Sequence, residues 1–283
     1  MLCDLHNHSI FSDGTDTPEE LITRAETLGL QAVALTDHNN VDGLARFLAA
    51  GQGSSVTAVP GVEFTTGYRD RELHILALFV EENRFTALRA FAELPHRRKE
   101  ESNLALAEAL NRAGYHIDYP AIKSAHPGGS VNRAHFAKAL VEMGYVKTRD
   151  EAFDTLLKPG GKFYVPPRRL DVFETIRFIR ELGAVAVFAH PYLTLKPEEV
   201  ADFLPAAKEA GLDGMEVRYS TYAPEITALA EETAKQFGLL PSGGSDYHGG
   251  NKPGLAMGTG YGNLRVPGEW FEALQDLSNQ RLN

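Results

Sequence analysis

A 283-residue chain with a single cysteine, Cys3, can form no internal disulfide and no thiolate metal cluster. The lone thiol fits a reducing, cytoplasmic setting and reads as a small buried strand residue. Positive charge is also short, 28 Lys+Arg against 38 Asp+Glu, and the net charge of −10 argues against tracking along a long nucleic-acid groove. No apolar run approaches the roughly 20 residues needed to span a bilayer, so no membrane partner is expected. The opening MLCDLHNHS has neither the basic nor the apolar stretch of a signal peptide and is expected to enter a strand at once. There is no G-x-x-x-x-G-K-[ST] and no G-x-G-x-x-G after a strand, which removes the P-loop and dinucleotide-binding readings. GTGYG at 258–262 is read as a loop.

What remains is an ordinary globular composition, 43% hydrophobic and 23% charged, with strands and helices in alternation. Strands are expected at 2–6, 31–35, 56–62 and 73–80, the last two joined by a reversal at 68–72. A helix is expected at 18–28, with Thr17 as N-cap, Pro18 at the first position, Glu20 closing a capping box and Gly29 as the stop, and another at 41–50. From about 84 to 170 helical periodicity takes over, with helices at 97–113, 131–143 (capped by Ser130) and 149–157. Alternation then resumes: helices at 171–182, 197–210 and 223–237, strands at 184–189, 214–217 and 239–244. Repeated β-α units imply a mostly parallel sheet, barrel or doubly wound, spanning 1–95 and 171–283 and interrupted by a helical insertion at 96–170. That insertion carries 13 Lys+Arg against 8 Asp+Glu, a locally basic segment on an acidic body and a hint of anion binding.

Of ten histidines, His96, His116, His126 and His135 fall in the insertion. Of the other six, His6, His8, His38, His190 and His248 sit at or just past strand ends, where parallel α/β folds build their sites. Asp13, Asp37, Glu63 and Asp246 share those loops. One buried histidine is usually a packed core residue, but five converging with carboxylates are hard to explain by packing. Imidazole plus carboxylate without sulfur suits Zn, Mn or Fe(II). His6 and His8 flank Asn7, so an extended backbone points both to one side. Glu63 could bridge two ions.

DLHNHS (4–9), TDH (36–38), PGVEF (60–64), AHP (189–191) and GSDYH (244–248) together resemble the motif set of the polymerase and histidinol phosphatase (PHP) family. The resemblance runs the length of the chain apart from the insertion. It implies a distorted (β/α)7 TIM-like barrel with an inserted helical cap, and two or three divalent cations. Carried over, the first ion takes His6, His8, Glu63 and Asp246; the second Glu63, His74 and His190; the third Asp13, His38 and His248. Asp13 stands where some members use histidine, which leaves the third position the least secure. His74 lies near the start of its strand and needs a hairpin to return it to the site. Asp37 is left either to orient a histidine or to cap the following helix. Three such ions outweigh three carboxylates by about three charges, so phosphate is the natural guest. Water between the first two ions would be activated towards hydroxide, its pKa falling from about 15.7 towards about 7. Glu63 and Asp246 are then catalytic through the ions they hold, and His248, or a water on the third ion, protonates the leaving group.

Substrate contacts are expected from Arg133 and His135 at a helix start, Lys162 and Tyr164 in the GGKFYVPP loop, and Arg218 directly after strand 214–217. Resemblance to the subfamily with this insertion implies removal of the 3′-phosphate from a nucleoside 3′,5′-bisphosphate, and also trimming of short RNA from its 5′ end. A histidinol-phosphate phosphatase would use the same ions with a different pocket. A metal-dependent amidohydrolase is disfavoured by the site's positive charge. A degenerate metal- or nucleotide-binding module is disfavoured because all nine ligand positions are filled.

Overall fold

The computed structural model describes residues 1–125 and 131–282. The strands are β1 (Leu2–Asp4), β2 (Ala32–Leu35), β3 (Thr57–Tyr68), β4 (Arg71–Leu78), β5 (Leu170–Asp171), β6 (Val185–Phe188), β7 (Gly214–Tyr219), β8 (Leu240–Gly244) and β9 (Val266–Pro267). The helices are α1 (Pro18–Thr27), α2 (Leu44–Gly51), α3 (Phe85–Ala92), α4 (Leu94–Arg112), α5 (Tyr119–Ser124), α6 (Arg133–Glu142) and α7 (Arg149–Thr155), then α8 (Val172–Glu181), α9 (Pro191–Thr194), α10 (Pro197–Ala210), α11 (Pro224–Phe237) and α12 (Gly268–Leu282). Contacts divide the chain into two compact units, Met1–Ala92 with Leu170–Asn283, and Glu93–Arg169.

The first unit is a distorted (β/α)7 TIM-like barrel. Its sheet runs β8-β7-β6-β4-β3-β2-β1, with β9 beside β1 and β5 beside β3. Backbone bonds from Leu5 N to Gly243 O (3.1 Å) and from His8 N to Tyr247 O (2.9 Å) join the two ends and draw the sheet towards closure. The distortion is β4, which pairs antiparallel to both β3 and β6 while the other barrel strands pair in parallel. The start of β4 therefore lies at the end of the barrel where its neighbours finish. Inside, Leu5, Ala34, Val59, Leu76, Val187 and Leu274 share one dry cluster. Around it, helices bury one face each: in α8, Val172, Thr175, Ile176 and Ile179 follow the i, i+3, i+4, i+7 spacing of an amphipathic stripe. Helix α1 begins as its sequence requires, Thr17 and Glu20 satisfying each other's backbone N–H groups.

The second unit has its own core, built on Leu106, Leu110, Phe136, Leu140 and Leu157. Ser130, expected to cap α6, lies outside the described residues; Asn132 caps that helix, accepting from Ala134 N at 3.0 Å, and the helix starts at Arg133. Among the described residues no helix is long and apolar enough to cross a membrane.

Candidate metal centre

Five chain segments bring their polar side chains to the same end of the barrel. After β1 the backbone stays extended, Asn7 bridging to Tyr247, and His6 and His8 point the same way. Past β2, His38 bridges to Glu63 within β3. His74 pairs with Thr65 while Glu63 pairs with Leu76, so the hairpin makes Glu63 and His74 diagonal neighbours on one face. This is how a histidine near the start of its strand reaches the site. His190 and Asp246 follow β6 and β8 in left-handed backbone, φ 29° and φ 55°. Non-glycine residues rarely hold that conformation, and such strain gathers at functional sites.

Glu63 is the hub. Its Oε1 lies 2.7 Å from His74 Nδ1 and 3.0 Å from His190 Nε2. Its Oε2 lies 3.1 Å from His6 Nε2, 3.2 Å from His8 Nε2 and 3.1 Å from His38 Nδ1. Asp246 Oδ1 approaches His8 Nε2 at 3.1 Å and His6 Nε2 at 3.6 Å. Asp13, the most exposed member, lies 3.2 Å from His248 Nε2, 3.8 Å from His8 Nδ1 and 3.9 Å from His38 Nε2. Four groups with the reach to hold an ion emerge: His6, His8, Glu63 and Asp246; His38, Glu63 and His74; His8, Asp13, His38 and His248; and His6, His190 and Glu216. Despite the short separations, His6 Nε2, His8 Nε2, His38 Nδ1 and Glu63 Oε2 are buried with no hydrogen-bond partner. Lone pairs converging without donors are costly unless a cation sits among them, so these donors fit divalent ions. Burial opposes charge on Glu63 and Asp246, yet the surrounding histidines, His6 foremost, hold both carboxyls well below their usual range. Burial carries His38 down to about 4, leaving it a neutral imidazole at pH 7.

Comparison with known proteins places this geometry. The PHP domain family matches residues 4–156. The chain is 31% identical to 5′-3′ exoribonuclease Rnm of Escherichia coli (strain K12), over 88% of this chain and 85% of that one. The chain belongs to the PHP domain family. It is 30% identical to a 3′,5′-nucleoside bisphosphate phosphatase of Chromobacterium violaceum, over 90% of each chain. The crystal structure of a putative metal-dependent phosphoesterase from Bifidobacterium adolescentis superposes with TM-score 0.65 at 28% identity, covering 97% of this chain and 96% of that one. As a PHP protein, it is a metal-dependent hydrolase acting on phosphoester bonds.

Around this PHP centre lie residues the sequence did not single out. Glu216, fully buried in β7, takes His6 Nδ1 on one oxygen and His190 N on the other. Tyr219 Oη and Lys252 Nζ both donate to Asp246 Oδ2, each at 2.6 Å. Asp4 accepts from Ser245 N, Ser245 Oγ and Gly258 N and ties β1 to the loop after β8. Asp37 does not cap α2, whose cap is Gly43; it accepts from Ser9 N, Ser9 Oγ and Ser12 Oγ, and Ser12 Oγ lies 3.5 Å from His8 Nδ1, so Asp37 holds the loop beside that histidine.

The substrate candidates are not all at the site. Arg218 corrects the expectation from its position: the strand runs on to Tyr219, and a bulge between Glu216 and Arg218 turns it to the opposite face. There it pairs with Glu231 at 2.9 Å and covers the Trp270 ring. Within the insertion, Arg133 donates to Leu157 O at 3.0 Å and lies over the rings of Tyr164 and Phe153. His135 Nδ1 accepts from Asn132 N, closing the capping box of α6, and Lys162 lies over Phe163.

Proposed function

We propose that this PHP phosphoesterase removes the 3′-phosphate from a nucleoside 3′,5′-bisphosphate, and that it also shortens small RNA from the 5′ end. The observation that carries the reading is the set of buried, unpartnered atoms His6 Nε2, His8 Nε2, His38 Nδ1 and Glu63 Oε2. Nitrogen and carboxylate donors without sulfur favour Zn, Mn or Fe(II), and two or three such ions fit the donor groups around Glu63 and Asp13. Divalent cations held there supply activated water and positive charge for a phosphoryl group. Glu63 splits its oxygens between two donor groups and sets their spacing. His248 Nδ1 donates to Asp246 O at 2.8 Å, which turns Nε2 towards Asp13 at 3.2 Å, where it is available as a ligand atom. The bisphosphate preference is supported by the Chromobacterium violaceum relative, and the RNA activity by the Escherichia coli relative. Arg133 and His135, with Lys162 and Tyr164, are the proposed contacts to the second phosphate; Arg218, engaged by Glu231, is not. A reducing cytoplasmic setting agrees with the single buried thiol.

Phosphate release from adenosine 3′,5′-bisphosphate, 5′-AMP and histidinol phosphate, with release of nucleoside 5′-monophosphate from a short 5′-phosphorylated RNA, tests this. The bisphosphate should turn over fastest and yield 5′-AMP. Turnover of histidinol phosphate alone would transfer the assignment to that class.

A further inference from the structure

We propose that Glu216 is a positioning residue that sets two ligands of the metal centre at once, a role that rests on the metal reading above. Its two oxygens have different tasks. Oε1 accepts the Nδ1 proton of His6 at 3.0 Å. That fixes the tautomer of His6 and aims its Nε2 lone pair at Glu63 and Asp246. Oε2 accepts the backbone N–H of His190 at 2.7 Å. His190 sits at φ 29°, ψ 53°, where a non-glycine residue is held only by its surroundings. The Glu216 bond is one restraint on that backbone, and it delivers His190 Nε2 to within 3.0 Å of Glu63.

Glu216 lies with His6 and His190 in a group that could itself hold an ion. The bonding argues otherwise. Each of its oxygens already accepts one hydrogen bond, from His6 Nδ1 and from the His190 backbone N–H, which is the pattern of a supporting carboxylate. Glu216 is fully buried beneath the two histidines it bonds. It therefore acts through the two histidines, one from the loop after β1 and one from the loop after β6, on opposite sides of β7.

The test uses Glu216→Gln, nearly isosteric, and Glu216→Ala, each depleted of metal by chelation and titrated with Mn2+. The amide of glutamine can satisfy only one of the two donors. Mn2+ affinity should fall about 10- to 100-fold in both variants, the cost seen when a partner behind a metal ligand is lost. kcat should fall while KM stays within about twofold, because no substrate contact is touched. A downfield imidazole N–H proton resonance assigned to His6 should be present in the wild type and displaced in Glu216→Gln; a merely space-filling role would leave it in place. Wild type and Glu216→Gln binding Mn2+ equally, with that resonance unmoved, would overturn the assignment. A wild type that takes up no Mn2+ would overturn the metal centre itself, and this role with it.

Discussion

At the scale of single residues, the chemistry depends on atoms that have close neighbours and no hydrogen bond. His6 Nε2 and Glu63 Oε2 are both buried and unpartnered, 3.1 Å apart. Asp246→Ala or His6→Ala should leave the fold intact, measured by circular dichroism, and reduce phosphate release by more than about 100-fold, beyond the loss of a supporting partner. Full activity in either variant would contradict their roles. The pH behaviour follows from His74. Burial alone would lower it, but bonding to Glu63 and Glu72 carries it from an ordinary 6.5 up to about 9. In chelated protein its contribution to stability is complete below pH 6.5 and is lost as pH rises through about 9. A cation must displace that proton, so Mn2+ binding near pH 7 should release protons and tighten as pH rises. Calorimetry in buffers of different ionisation enthalpy would read the proton release.

At the scale of elements, the barrel's seam also forms the site. β8 approaches the segment after β1 so closely that a Cβ on Gly244 would lie 2.6 Å from His6 N. Gly244→Ala should cost about 1–3 kcal/mol through overpacking and weaken Mn2+ binding together with it. A variant with wild-type melting temperature and metal affinity would show that the seam tolerates widening. Elements with local punctuation were legible in the sequence. Thr17, Pro18 and Glu20 announced α1, and Gly114 and Gly144 take the positive φ that stops α4 and α6. Five histidines were legible because they recur at strand ends; the full set of nine, Asp13, Glu63 and His74 included, is what the resemblance to PHP motifs implies. Glu216 was not, because GMEV reads as an apolar strand and nothing local marks its partners 210 and 26 residues away. Arg218 was misplaced for a related reason: simple alternation puts residues 216 and 218 on one face, and the bulge in β7 is a tertiary event. Helices α3, α5, α9 and α12 passed unread.

At the scale of the whole molecule, the donors all belong to one compact unit, and the basic insertion has a core of its own. Phe136 is fully buried there. Phe136→Ala should destabilise the insertion by about 3–5 kcal/mol. If the barrel holds the ions unaided, Mn2+ stoichiometry should not change, while turnover of adenosine 3′,5′-bisphosphate should fall through a higher KM. Unchanged KM in this variant would argue against any substrate contact from the insertion.

The central claim is that His6, His8, Glu63 and Asp246 surround a cation. Anomalous diffraction from crystals grown with Mn2+ tests it most directly. The account predicts a strong peak bonded to His6 Nε2, His8 Nε2, Glu63 and Asp246, with another on the far side of Glu63 towards His74 and His190. Density free of peaks among these side chains, at metal concentrations that support turnover, would contradict it.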